Sequence, residues 1–211
     1  MWFAYLTLDL ALLILGSMSS RPRRRVEGVR VAEPDLTRKI ELDPIAEALE
    51  LFPYGLYIVG SHGSDNINGM MADWVMQVSF QPRLVAVSLE RTSTTLRNLR
   101  ESGAFTVNVL NANDRDLAVR FCQPRQAAKI EGRSEEASAV IYDKLAGIDY
   151  QMGPNTDCPV LDRALAYVEC QVQELIETGD HVLAIGLVLD GAAFGEGEPL
   201  SSHALGWNYA G

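Results

Sequence analysis

The sequence is poor in the residues that build metal centres and disulfide frameworks. Its three cysteines, Cys122, Cys158 and Cys170, are odd in number and far apart, and no pair has C-x-x-C spacing. A zinc ribbon and a thioredoxin-like redox pair are therefore excluded, and the thiols read as reduced fillers of the core or its margin. The three histidines, His62, His181 and His203, are isolated, without H-x-x-x-H or acidic-pair ligand spacing, so no metal is expected. No G-x-G-x-x-G follows a strand and no G-x-x-x-x-G-K-[ST] occurs, which removes Rossmann and P-loop nucleotide sites. Any nucleotide must be held in another way. Basic residues are outnumbered, 18 against 28 acidic, for a net charge of −10. Such a surface repels nucleic acid and anionic lipid alike.

A long apolar run is also missing. Residues 2–15 are nearly all apolar, but they fall short of the roughly 18–20 needed to cross a bilayer, and Asp9 interrupts them. Arg21, Arg23, Arg24 and Arg25 follow the run rather than precede it, the reverse of a secretory signal. Were the segment an anchor, those arginines would keep the remainder on the cytoplasmic side, so a cytoplasmic protein is expected, with membrane association disfavoured. Met18, followed by Ser19, Ser20 and the basic run, reads as a start site, and residues 19–38 as a flexible arm. Residues 1–40 are thus expected to be an extension and 41–211 the folded domain.

What is present is an ordinary globular composition, 47% hydrophobic and 22% charged over 211 residues, enough for one well-cored domain. Asp43-Pro44 caps a short helix bearing Ile45, Leu49 and Phe52 and ending at Pro53. Residues 55–61 and the turn-rich 62–66 predict a hairpin. Residues 74–80 and 84–89 predict two strands broken at Gln81-Pro82-Arg83. Residues 93–102 predict a helix stopped by Gly103. Phe105, Val107 and Val109 alternate with Thr106 and Asn108, a strand with one buried face. A helix carrying Leu117 and Phe121 opens near Asn113, and residues 123–157 read as loops with one or two short elements. Ala166, Val168, Cys170 and Val172 mark a strand, Thr178-Gly179-Asp180 a turn, and residues 182–189 a buried strand. Many strands with short helices between them predict a mainly β fold, a β-barrel rather than a layered α/β sheet.

The segment Asn68-Gly69-Met70-Met71-Ala72-Asp73-Trp74-Val75-Met76-Gln77-Val78-Ser79-Phe80-Gln81-Pro82 resembles the flavin reductase-like family with the FMN-binding split-barrel fold, of Greek-key type. The resemblance continues through Leu84-Val85-Ala86-Val87-Ser88, residues 93–96, Ser102-Gly103-Ala104-Phe105, Pro159-Val160-Leu161, residues 164–170 and Gly179-Asp180-His181. It spans about residues 48–200 in the family's order. It implies a homodimer holding FMN, or FAD, at the subunit interface and taking hydride from NADH or NADPH, with free flavin or a partner such as a monooxygenase as acceptor.

Residues suited to that work can be weighed individually. Thr92, Ser93, Thr94 and Thr95 stand at a helix start, where free N–H groups, the positive dipole end and hydroxyls suit a phosphate; the alternative is a simple helix cap. Met70, Met71, Ala72, Asp73 and Trp74 correspond to the family's flavin edge, and Ser88 to its following strand. Met71 stands where Thr is common, Asp73 where Asn or Ser is, and Met76 where Thr is. Those changes remove side-chain donors, whereas the backbone N–H groups survive any substitution. A carboxylate at Asp73 close to the ring disfavours negative charge on the flavin and lowers its reduction potential; the alternative is a turn-forming or solvated aspartate. His181 matches a position near the flavin and the pyridine nucleotide; without the resemblance it is a hairpin residue. Trp74 and Tyr209 could cover a ring face or be core, and residues 206–209 are expected to fold over the barrel mouth or the partner subunit. Two further functions remain open: a flavin-storing or electron-relaying module without a hydride site, and a split-barrel dimer that has lost flavin.

Overall fold

A computed structural model describes residues 44–123 and 142–207. The expectations for residues 1–40, including Met18 and the basic run, and those for Asn208 and Tyr209 lie outside the described residues. The chain divides into a unit over Pro53–Gly206 and a second made of the residues on either side. In the latter, helix α1 (Pro44–Glu50) buries none of its residues. It stops earlier than expected: Leu51 and Phe52 donate to the carbonyls of Ala48 and Leu49 in a tightened last turn, because a residue before proline is pushed out of the helical region.

The unit over Pro53–Gly206 is built on seven antiparallel strands: β1 (Tyr57–His62), β2 (Ile67–Ala72), β3 (Val75–Phe80), β4 (Arg83–Glu90), β5 (Ala104–Val109), β8 (Ala166–Thr178) and β9 (His181–Ala193). Their order across the sheet is β2-β1-β5-β8-β9-β4-β3. The pairings of β1 with β5 and of β4 with β9 join strands distant in sequence, so the sheet winds in Greek-key fashion. A small hairpin, β6 (Tyr150–Met152) with β7 (Pro159–Leu161), forms a second sheet. Helices α2 (Thr94–Ser102), α3 (Arg115–Cys122) and α4 (Ser202–Leu205) are short. The mainly β fold expected from the strand pattern, and the split barrel implied by the resemblance, are what is observed.

Phe105 and Val107 of β5 meet Val59, Val87, Leu89, Leu96, Leu99, Val182 and Ala184 in one buried cluster. Cys158 and Cys170 are fully buried and all three described cysteines are free thiols. Ser93 caps α2 by accepting from the N–H of Leu96, and Gly103 ends it at φ 69°, a left-handed conformation natural only to glycine. Leu117 and Phe121 bury the inner face of α3.

Two strand expectations need correction. The segment 182–189 is not buried throughout. β4 pairs with β9 only from His181 to Leu187, so beyond that point β9 has β8 alone as a neighbour and Leu189 is exposed. Nor does β5 have one buried face; it has two. Thr106 and Asn108, on the face expected to be wet, are 0% exposed because the β6–β7 hairpin covers them. The Thr106 hydroxyl donates to the Pro159 carbonyl at 2.6 Å. Asn108 donates to the carbonyls of Ile58 and Pro159 and accepts from the N–H of Leu161 at 2.8 Å. Gly60 lies opposite Thr106 on β1. A methyl group there would strike both the threonine hydroxyl and the Pro159 carbonyl, so glycine is what lets the hairpin close down.

Candidate functional site

Three segments far apart in sequence meet where β2 leaves for β3, where β4 leaves for α2, and at the tip of the β8–β9 hairpin. Trp74 links them. Its carbonyl accepts from the N–H of Ser88 on β4 at 3.0 Å, and its ring lies 5.0 Å from that of His181, tilted by 53°. His181 opens β9 directly across from Glu90 of β4. The Glu90 carbonyl in turn accepts from the N–H of Ser93, and the N–H of Arg91 reaches the Asp180 carbonyl. Asp73, Trp74, Ser88, His181 and the start of α2 are therefore brought into one neighbourhood.

The helix start has its own support. Thr95 is buried and accepts at its hydroxyl from the Asn68 amide at 3.1 Å. Asn68 Oδ1 is enclosed and, among the described residues, the single buried side-chain polar atom without a hydrogen bond. Asn98 of α2 donates to Ser61 and Asn66, which ties the helix to the β1–β2 hairpin. The N–H groups of Thr94 and Thr95 belong to the first helical turn, which has no intrahelical acceptor for them. Free N–H donors at a helix start fit an anionic group such as a phosphate.

The ring-edge residues are more occupied than expected. Asp73 folds its carboxylate onto the N–H of Trp74 at 2.9 Å, and the Asp73 carbonyl accepts from Val75. The backbone donors of Trp74 and Val75 are therefore taken within the turn, so these two N–H groups, though they survive the side-chain changes, are already bonded: an aspartate in a tight connection satisfies its own turn. Burial raises the Asp73 carboxyl above the usual carboxylate range, opposed by these backbone bonds and by nearby His181. Met71 is buried, and its sulfur meets the Cys122 thiol at 3.4 Å. Burial also pushes that thiol up to about 12, so it is no nucleophile. Met70 is half-buried against the core and Ala72 lies within it.

Asp180 and Asn68 are the residues that sequence reasoning missed in these roles. Asp180 neighbours His181 in the chain, but adjacency alone gives no sign that the carboxylate turns back to Nδ1, 2.8 Å away. An open cleft of about 390 Å3 lies at the other end of the β8–β9 ribbon, lined by Met152, Val160, Tyr167 and Phe194 among others. None of the candidate residues borders it. Among the described residues no helix is long and apolar enough to cross a membrane.

This is a split barrel whose convergent residues sit at a strand connection, a helix start and a hairpin tip. The sequence matches the flavin reductase like domain over residues 49–204, and the chain belongs to that family. It is 30% identical to the high molecular weight rubredoxin of Moorella thermoacetica over 155 residues, covering 74% of this chain and 62% of that protein. It is 30% identical to a probable flavin reductase of Rhizobium meliloti over 149 residues, covering 69% of this chain and 42% of the relative. The chain thus spans roughly half the length of these two relatives. Among solved structures, flavin reductase HpaC complexed with NADP+ superposes with a TM-score of 0.61 at 26% identity, covering 74% of this chain and 90% of that one.

Proposed function

We propose that this chain is an NAD(P)H-dependent, flavin reductase-like oxidoreductase that works in the cytoplasm as a homodimer. The carrying observation is the contact of Trp74 with His181 beside the start of α2, which gathers the family's flavin-edge, phosphate and nucleotide segments into one place. FMN is the favoured cofactor, with FAD as the alternative, and when bound it supplies the two-electron acceptor that side chains lack. Ser93, Thr94 and Thr95 would hold the phosphate through hydroxyls and free N–H groups, with the Asn68 amide holding the Thr95 side chain in place. Met70, Met71, Ala72, Asp73 and Trp74 would border the ring, with Ser88 beneath and His181 towards the pyridine nucleotide. Electrons then pass to free flavin or to a partner such as a monooxygenase. The homodimer is supported by β3, whose Met76, Val78 and Phe80 are all exposed at the sheet edge. Such a surface calls for cover, and the net charge of −10 makes an acidic membrane or nucleic acid a poor candidate for it.

The occupied N–H of Trp74 and the buried Met71 withdraw contacts from flavin and favour a second reading, a split-barrel dimer that has lost it. One anaerobic titration separates the two. Protein reconstituted with FMN, then with FAD, is followed in the visible as NADH and then NADPH is added. Bleaching of bound flavin supports the reductase and reports the donor. Flavin that binds and stays oxidised points instead to a relay without a hydride site, and absence of binding supports the flavin-free dimer. In the flavin-loaded protein, Asp73→Asn should raise the midpoint potential by about 30 mV, the two-electron equivalent of 1.4 kcal/mol. That difference should shrink as pH falls through the raised Asp73 titration, where the wild-type carboxyl is itself neutral. An unchanged potential at neutral pH would mean the carboxylate faces away from the ring.

A further inference from the structure

We propose that Asp180 is a positioning residue: it holds the His181 imidazole with its proton on Nδ1 and leaves Nε2 as an acceptor for the carboxamide N–H2 of an incoming nicotinamide. The proposal rests on the placement of the pyridine nucleotide at His181 made above. Its physical basis is local. His181 is only 7% exposed, so water is a poor substitute partner for its ring. Nδ1 lies 2.8 Å from Asp180 Oδ1. An ionised carboxylate only accepts hydrogen bonds, so the ring nitrogen facing it must be the donor. Asp180 stays ionised, because the His181 hydrogen bond holds its carboxyl below the usual range, with a smaller contribution from nearby Arg91.

Nε2 is the other half of the argument. No described residue hydrogen-bonds it, yet it is not among the enclosed polar atoms without partners, so it opens to the outside. The Trp74 ring at 5.0 Å restrains the plane of the imidazole, while Gly179 at φ 45° forms the turn that sends Asp180 back towards the ring. The hydroxyl of Thr178 donates to the His181 carbonyl across the same turn. The charged groups around the ring are Asp180 on its own hairpin, Asp73 on the β2–β3 connection, Glu90 opposite on β4, and Arg91 beyond the turn. Glu177 is engaged by Arg91 and Arg100. Asp180 is the one among them with a hydrogen bond to the imidazole, and its side chain is 93% exposed. Its removal therefore threatens no core packing.

The test has one readout in the flavin-free chain and one in the loaded protein. Nitrogen-15 NMR of the imidazole at neutral pH should show the Nδ1–H form in the wild type. Asp180→Ala should return His181 to the Nε2–H form that free histidine favours, while Asp180→Asn, which keeps an acceptor oxygen, should preserve Nδ1–H. With FMN bound, Asp180→Ala should raise KM for the pyridine nucleotide by up to about tenfold, the loss expected for one neutral hydrogen bond to the nucleotide. The effect on kcat should be smaller, and Asp180→Asn should recover most of the loss. The same tautomer in wild type and Asp180→Ala overturns the proposal whatever the flavin does. A tautomer change with unmoved KM overturns it at the nucleotide. Failure of both nucleotides to bleach wild-type flavin would instead sink the reductase reading, and the NMR result would still stand.

Discussion

Strands β5 and β3 are each six residues long, and their fates are opposite. In β5 the polar Thr106 and Asn108 are completely enclosed, while in β3 the apolar Met76, Val78 and Phe80 are exposed, Phe80 by 88%. Position in the sheet explains the difference. β5 lies between β1 and β8 and carries the β6–β7 hairpin over its second face, whereas β3 is an edge strand with β4 as its sheet neighbour. A side chain's polarity does not decide its burial; the elements on either side of it do. Polar atoms can be buried in β5 because each finds a partner on β1 or β7, whereas the apolar atoms of β3 stand on an edge strand with a sheet neighbour on one side.

The comparison can be broken most forcefully at Asn108. Asn108→Leu strips partners from the Leu161 N–H and the Ile58 carbonyl and should cost about 2–6 kcal/mol in urea unfolding, at about 1–3 kcal/mol per stranded group. A loss below about 1 kcal/mol would mean water reaches that face. Thr106→Val is a milder version. The Pro159 carbonyl keeps its bond from Asn108, so about 1 kcal/mol is expected, and a cost equal to that of Asn108→Leu would show that the two groups cannot be separated. Phe80→Ser should change the folding stability of the isolated chain least, within about 0.5 kcal/mol, yet it should weaken self-association in sedimentation velocity. Unaltered association would mean that β3 is not the contact of the proposed homodimer.

Local pattern made much of this architecture legible. Ser93 before an apolar-periodic stretch and Gly103 after it located α2, and both caps have their expected hydrogen bonds. The alternation around Cys170 located β8, and the turn at Gly179 located its partner. The reading was blind to whatever depends on a remote element. Thr106 and Asn108 looked like the wet face of a strand because nothing in a six-residue pattern announces a covering hairpin. That the Trp74 N–H is bonded by Asp73 was not legible, because a sequence does not say which way an aspartate turns. The closeness of Trp74 to His181 followed only from the family resemblance, since more than a hundred residues separate them.

By itself the sequence determined the longer strands and helices, several of their caps and turns, and the family to which the chain belongs, because these follow from periodicity, backbone preference and ordered motifs acting over a few residues. The tertiary structure alone decided which face of β5 is dry, which backbone donors remain for a ligand, and that Asp180, His181 and Trp74 meet. Those outcomes depend on the pairing of strands distant in the chain and on the hydrogen bonds that buried groups must then find.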